Sequence, residues 1–217
     1  YVRLVMMAYM KREPLDFDLS SAGTLIRAAR IYSDVVSPPV IFAGLGFFAA
    51  WIDLPFWDGL KWAFLYGLLT CLIPIGVVYY LFKAGRVSDM HMSNTHERHI
   101  PYLISMACAV IALAVIIFGG GTPPLRFLAL CSIAGLATLG AINMFWLVSG
   151  HATSITLAAA FVGVTMGVKA GMFLIPLVGL TGAVRLLLHR HTIAQIVAGM
   201  AIGPFLVLLL ANLGYIV

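Results

Sequence analysis

From His99 to Phe118 the sequence runs for a full membrane-spanning length without one Asp, Glu, Lys or Arg. At about 1.5 Å of rise per residue, such a run crosses the roughly 30 Å of a bilayer's hydrocarbon core as a helix. Comparable runs recur at 40–54, 59–82, 125–148, 151–168, 171–188 and 191–217. They do not alternate apolar with polar residues, so helices that satisfy their own backbone hydrogen bonds are expected rather than a membrane barrel. Composition agrees: 62% of residues are hydrophobic and 10% charged, with a mean hydropathy of +1.05. Soluble domains carry about 25% charged residues. The expected fold class is all-α, a polytopic membrane helical bundle of six to seven transmembrane helices with an N-terminal interfacial helix.

The chain divides at Pro38. Residues 1–37 carry Lys11, Arg12, Glu13, Asp16 and Asp18, followed by a stretch that spaces Leu25, Ile26, Ala29 and Val35 against Arg27, Arg30 and Asp34. This reads as a solvated and interfacial segment ending in an amphipathic helix. Its basic residues are followed by acidic ones and no apolar core, unlike a cleavable signal peptide. Residues 38–217 form the transmembrane domain. Pro38-Pro39 suit a helix start, Trp51 and Trp57 flank a turn at the membrane boundary, and Pro74 is expected to bend the second span. Cys71, Cys108 and Cys131 sit inside apolar runs, as buried thiols do. Pairs such as Gly163/Gly167 and Gly199/Gly203 suit close helix packing within the bundle. They leave the oligomeric state open.

Counting spans places all six histidines (91, 96, 99, 151, 189 and 191) on one membrane face. Ten of the 13 Lys and Arg share it, leaving Lys61, Arg126 and Lys169 opposite. By the positive-inside bias that face is cytoplasmic in a cell membrane. The basic residues lie beside apolar segments, where anionic headgroups account for them and nucleic acid is not expected as a partner.

Two segments on that face carry chemistry: Val148-Ser149-Gly150-His151, and Arg185 followed after five residues by His191 and then by Gln195. The apolar stretch between them is long enough to cross a bilayer and return, so both reach the same surface. Arginine forks match phosphate oxygens, and Ser-Gly at a helix start offers backbone N–H groups to an anion. A histidine can attack phosphorus when neutral and protonate a leaving oxygen when charged. Two histidines can divide those roles.

With these residues the chain resembles the type-2 phosphatidic acid phosphatase superfamily, whose motifs are Lys-x6-Arg-Pro, Pro-Ser-Gly-His and Ser-Arg-x5-His-x3-Asp. The second corresponds to Val148-Ser149-Gly150-His151, the third to Val184-Arg185-x5-His191-x3-Gln195, and the first, most loosely, to His91-x6-Arg98. The resemblance implies a lipid phosphatase acting through a phosphohistidine on a phosphate monoester or pyrophosphate of a phospholipid or polyprenyl lipid. It implies that His191 is the nucleophile and His151 the general acid, with Gln195 in the place of the residue that orients the nucleophile. His91, Arg98, Ser149, Gly150 and Arg185 would hold the phosphate. No metal and no cofactor is implied, and the partners would be a lipid phosphate and the surrounding membrane lipids.

Three departures stand out. Gln195 replaces an aspartate and supplies no charge, a role open to Asp89 or Glu97. His91 replaces a lysine. An apolar hairpin separates the first two motifs. A phosphotransferase, in which an alcohol replaces water, is an alternative. So are a haem protein, which would need facing histidines within its spans, and a transporter, which would need a charged residue near mid-span.

Overall fold

The structure, a computed structural model, describes Leu15 and residues 23–87 and 99–215, with only the backbone of His99. His91, Arg98, Asp89 and Glu97 lie outside the described residues. The described chain is helical: α1 (Thr24–Val35), α2 (Pro38–Asp53), α3 (Phe56–Gly67), a π-helical turn (Leu68–Leu72), α4 (Ile73–Lys83), α5 (His99–Phe118), α6 (Pro123–Asn143), α7 (Gly150–Met166), α8 (Val168–Met172), α9 (Ile175–Leu187) and α10 (Ile193–Asn212).

Five helical stretches are long and apolar enough to cross a membrane: Phe56–Lys83, Ile100–Phe118, Pro123–Asn143, Val168–Leu187 and Ile193–Asn212. Taken as one span, the pair α1–α2, bent by 48°, gives up to six, and α7 is a shorter apolar helix packed among them. The protein is thus a polytopic membrane helical bundle. Its outward surface carries large apolar side chains, with Phe118, Phe145 and Phe173 each more than four-fifths exposed, as lipid contact favours.

Local chemistry sets most element boundaries. Pro38 drives the preceding Ser37 into extended backbone (φ −71°, ψ 151°), which separates α1 from α2. The π turn falls just before Pro74, where the missing proline N–H and the ring's bulk disturb the helical ladder. The break at the end of α6 comes earlier than the apolar run suggests. Asn143 accepts Val148 N–H at 2.7 Å on its side-chain oxygen and donates from its side-chain nitrogen to Tyr102 Oη at 3.0 Å. That clamp folds Met144–Val148 back as a turn and frees Gly150 to begin α7. Gly167, at φ 98°, makes the turn from α7 to α8 in a conformation few other residues adopt.

The core lies where α2, α3, α6 and α7 meet. Phe127 stacks on Phe161 with ring centroids 5.5 Å apart. Tyr66 and Ser132 bond at 2.6 Å; since Ser132 Oγ donates to Leu128 O, the tyrosine hydroxyl donates to the serine.

The closest approach is between α7 and α10. A Cβ on Gly199 would stand 2.7 Å from Ser149 O, and one on Gly203 would stand 2.6 Å from both Leu157 N and Thr153 O. The Gly199/Gly203 spacing therefore serves packing within the bundle, as the sequence suggests. Gly163 instead meets Gly171 of α8, where an added Cβ would lie 2.8 Å from Gly163 Cα.

These contacts predict a contrast. Gly203→Val must push α7 and α10 apart and should destabilise the purified protein by about 3 kcal/mol. Gly135→Ala, whose new methyl would meet only Leu157 Cδ1 at an ordinary 3.8 Å, should change stability little. Thermal unfolding in one detergent compares the two; equal melting temperatures would refute the packing argument.

Candidate active site at the helix starts

Three helix ends converge on one cavity. Helix α7 begins at Gly150-His151, α9 ends just beyond Arg185, and α10 begins two residues after His191. Gly150, His151, Arg185 and His191 all line a cavity of about 720 Å³. The starts of α7 and α10 are tied directly, because Ser149 N–H donates to Gln195 O at 3.3 Å. Both helices thus turn their N-terminal, partially positive ends toward the same region, where an anion is favoured.

His151 is half-buried. Its Nε2 lies 3.0 Å from Ser33 O and 3.3 Å from Ser33 Oγ. A main-chain carbonyl can only accept, so this contact makes Nε2 the protonated nitrogen and leaves Nδ1 as the one that gains and loses a proton. Arg185 is buried, at 5% exposure, and its Nη1 donates to Ser33 Oγ at 2.7 Å. Ser33 thus takes donors from both residues. Nothing in the sequence marks it, because a serine on an amphipathic helix is an ordinary polar residue.

Helix α1, which carries Ser33, docks on α9 through Ala29 packed with Val184 and Leu188, and through Tyr32 Oη, 2.8 Å from Thr181 Oγ1 and 3.3 Å from Leu177 O. The compositional boundary at residue 38 therefore cuts across the site. On this helix Leu25, Ile31 and Val35 are exposed, while Ala29 and Ser33 are buried against the bundle.

Arg185 and His191 are joined by a Schellman turn. His189 N–H donates to Leu186 O at 3.0 Å and Arg190 N–H to Arg185 O at 3.1 Å. His189 occupies the left-handed position, at φ 55°, where glycine is usual. His191 is 8% exposed.

Two expected site residues do other work. Ser149 is fully buried and caps α7, its Oγ accepting Ala152 N–H at 3.4 Å; it lies behind the wall on which Gly150 and His151 stand. Gln195 closes a capping box: its Oε1 accepts Thr192 N–H at 2.9 Å, and its own N–H donates to Thr192 Oγ1 at 3.3 Å. The pattern Thr192-x-x-Gln195 is the sequence signature of that box, and it accounts for a glutamine here without invoking an orienting contact to His191. His91 and Arg98 lie outside the described residues.

The cavity has a polar mouth and an apolar body. At the mouth stand Arg30, Asp34, His151, Arg185 and His191, with Arg30 Nε 3.2 and 3.3 Å from the two Asp34 oxygens. Hydroxyls deeper down are turned back onto main chain: Thr70 donates to Tyr66 O, Thr153 to Ser149 O and Ser154 to His151 O. The wall they present is effectively apolar. Among the described residues no group of three or more His, Cys, Asp or Glu is placed to hold a metal ion.

Comparison with protein-family models, curated proteins and solved structures finds no match to the chain. The site is accordingly interpreted from its own residues.

The capping box gives a prediction for the loop that carries His191. Gln195→Glu keeps an acceptor in reach of Thr192 N–H and should leave stability nearly unchanged. Gln195→Leu leaves that N–H without its acceptor and should cost about 1–2 kcal/mol. Chemical denaturation in mixed micelles distinguishes them; equal stability of the two variants would sink the structural role.

Proposed function

We propose that the protein is a lipid phosphatase that hydrolyses a phosphate ester at one membrane face through a phosphohistidine. The observation that carries the reading is the convergence of His151, Arg185 and His191 at the mouth of a single apolar cavity. A charged headgroup at the mouth and a hydrocarbon tail in the body match an amphiphilic phosphate. The basic bias of that end supports a site on the cytoplasmic side of a cell membrane.

In this scheme Arg185 and the amides at the start of α7 hold the phosphate oxygens. A neutral nitrogen of His191 attacks phosphorus, and the bond to the lipid oxygen breaks. His151, charged, delivers its Nδ1 proton to the departing alkoxide. A water then attacks the phosphohistidine, passing a proton to His151, and the phosphorus–nitrogen bond breaks to release phosphate and restore both rings. The Ser33 carbonyl keeps Nε2 protonated throughout, so the exchanging proton is confined to Nδ1. Gln195 contributes no charge to steady the His191 cation.

Phosphate release from a panel of lipid phosphates in the presence of EDTA tests the scheme. The wild type should be active, and His191→Ala should lose at least about a thousandfold in kcat, the scale set by removing a covalent nucleophile. His151→Ala should accumulate 32P-labelled enzyme only from substrates with a good leaving group. Activity that survives His191→Ala, or that EDTA abolishes, rules the scheme out.

The cavity body predicts chain-length dependence. It extends from Phe82 to Thr70 along the α3–α4 span and from Leu139 to Ser132 along α6, about 10–18 Å at 1.5 Å per residue. KM for alkyl phosphates should fall roughly fourfold per added methylene until that depth is filled. Gly135→Leu, which places a side chain in the body, should end the trend at a shorter chain. A KM independent of length refutes tail binding there.

A further inference from the structure

We infer that Ser33 is a positioning residue of this site: its hydroxyl sets the guanidinium of Arg185, and its carbonyl the ring of His151, so that one residue of α1 fixes the phosphate ligand and the proton donor relative to each other. The inference deepens the proposed function and rests on the roles given there to Arg185 and His151. Neither the compositional division of the chain nor its motifs reaches Ser33. It stands on the 2.7 Å bond from Arg185 Nη1 to Ser33 Oγ and the 3.0 Å contact of His151 Nε2 with Ser33 O.

Three further features suit Ser33 to this task. It is 1% exposed, so water does not compete for its hydroxyl. Its neighbour Tyr32 pins the same turn of α1 to α9 through Thr181 Oγ1 and Leu177 O, so the position of Ser33 is set by the helix that also carries Arg185. Finally, α1 is separated from α2 at Ser37 and packs on α9, which lets its orientation answer to Arg185 rather than to the α2 axis. A long arginine side chain has many rotamers. A buried acceptor at its tip selects one of them before the phosphate arrives, which lowers the ordering cost of binding.

The role is separable from simple packing by a coupling measurement. Inorganic phosphate binding, followed by 31P NMR on the full-length protein in detergent, reports the Arg185 contact without requiring turnover. Ser33→Ala should weaken phosphate binding roughly tenfold, the worth of a hydrogen bond to a charged group. Ser33→Thr, which restores the hydroxyl, should recover most of that loss. In an Arg185→Ala background, Ser33→Ala should change phosphate affinity less than about twofold, because the group it positions is gone.

An unchanged affinity in Ser33→Ala overturns the inference. So does an equal loss with and without Arg185, since a packing defect would act in both backgrounds. Thermal unfolding of each variant identifies any that has not folded. The underlying reading fails separately: if the wild type binds phosphate with this coupling but releases none from any lipid phosphate, the phosphatase reading falls and the positioning role stands. If it releases phosphate and Ser33→Ala matches it in KM, kcat and phosphate affinity, the positioning role falls and the phosphatase reading stands.

Discussion

The close contact of α7 with α10 is the constraint on which the site depends. In a bilayer, helices gain little from burying apolar surface against one another, because lipid tails are as apolar as leucine. What holds them together is close van der Waals packing and bonds between backbones. Gly199 and Gly203 permit that approach, since a Cβ at either position would fall within 2.7 Å of α7 main chain. The bond from Ser149 N–H to Gln195 O then fixes the sliding register of the pair. With the register fixed, the two helices start at the same level, and His151 and His191, each within two residues of a helix start, are delivered to the same cavity mouth.

A second layer of contacts converts that coincidence into defined geometry. Four donors near the site have neutral acceptors: the N–H of Thr192 bonds Gln195, the N–H of Val148 bonds Asn143, Arg185 Nη1 the Ser33 hydroxyl, and His151 Nε2 the Ser33 carbonyl. Neutral acceptors orient donors without adding negative charge. For the proposed phosphate site this choice has a direct electrostatic consequence, because a carboxylate at the same distance would repel an incoming anion. Among the described residues the acidic side chain lining the mouth, Asp34, is paired with Arg30.

Much of the fold is legible in the sequence because hydrocarbon thickness imposes a length that chain chemistry cannot evade. The run from His99 to Phe118 is a helix with those ends, and the Gly199/Gly203 spacing packs as expected. Boundaries shift where a single side chain outbids hydropathy. Asn143 ends α6 before the apolar run is spent, and the residues around Lys169, read as a turn before the run at 171–188, form the short helix α8, with a break at Phe173–Leu174 before α9. The site is legible only in part. Sequence spacing brings Gly150, His151, Arg185 and His191 to one face, but it cannot tell a residue on the cavity wall from one behind it, as with Ser149. Thr192-x-x-Gln195 carried a readable capping signature that comparison with an aspartate motif obscures. Ser33 had no signature, because its importance lies in tertiary contacts made across more than 100 residues of sequence.

That last point changes what the segment before Pro38 is. By composition it is a solvated approach to a membrane domain, and its exposed Leu25, Ile31 and Val35 still suit an interface. By contact its helix α1 is a wall of the site, held on α9 by Ala29 and Tyr32 and bonded to two residues from different helices. An amphipathic helix has two faces to satisfy, and in water only one needs a protein partner. The apolar face can enter lipid, which leaves the small and polar face, here Ala29 and Ser33, available to close a polar site. The 48° bend at Pro38-Pro39 is the geometric requirement for that arrangement. With that bend α1 runs beside α9, Ala29 packing with Leu188 and Val184 and Tyr32 meeting Thr181 and Leu177, and Ser33 is brought to Arg185 and His151.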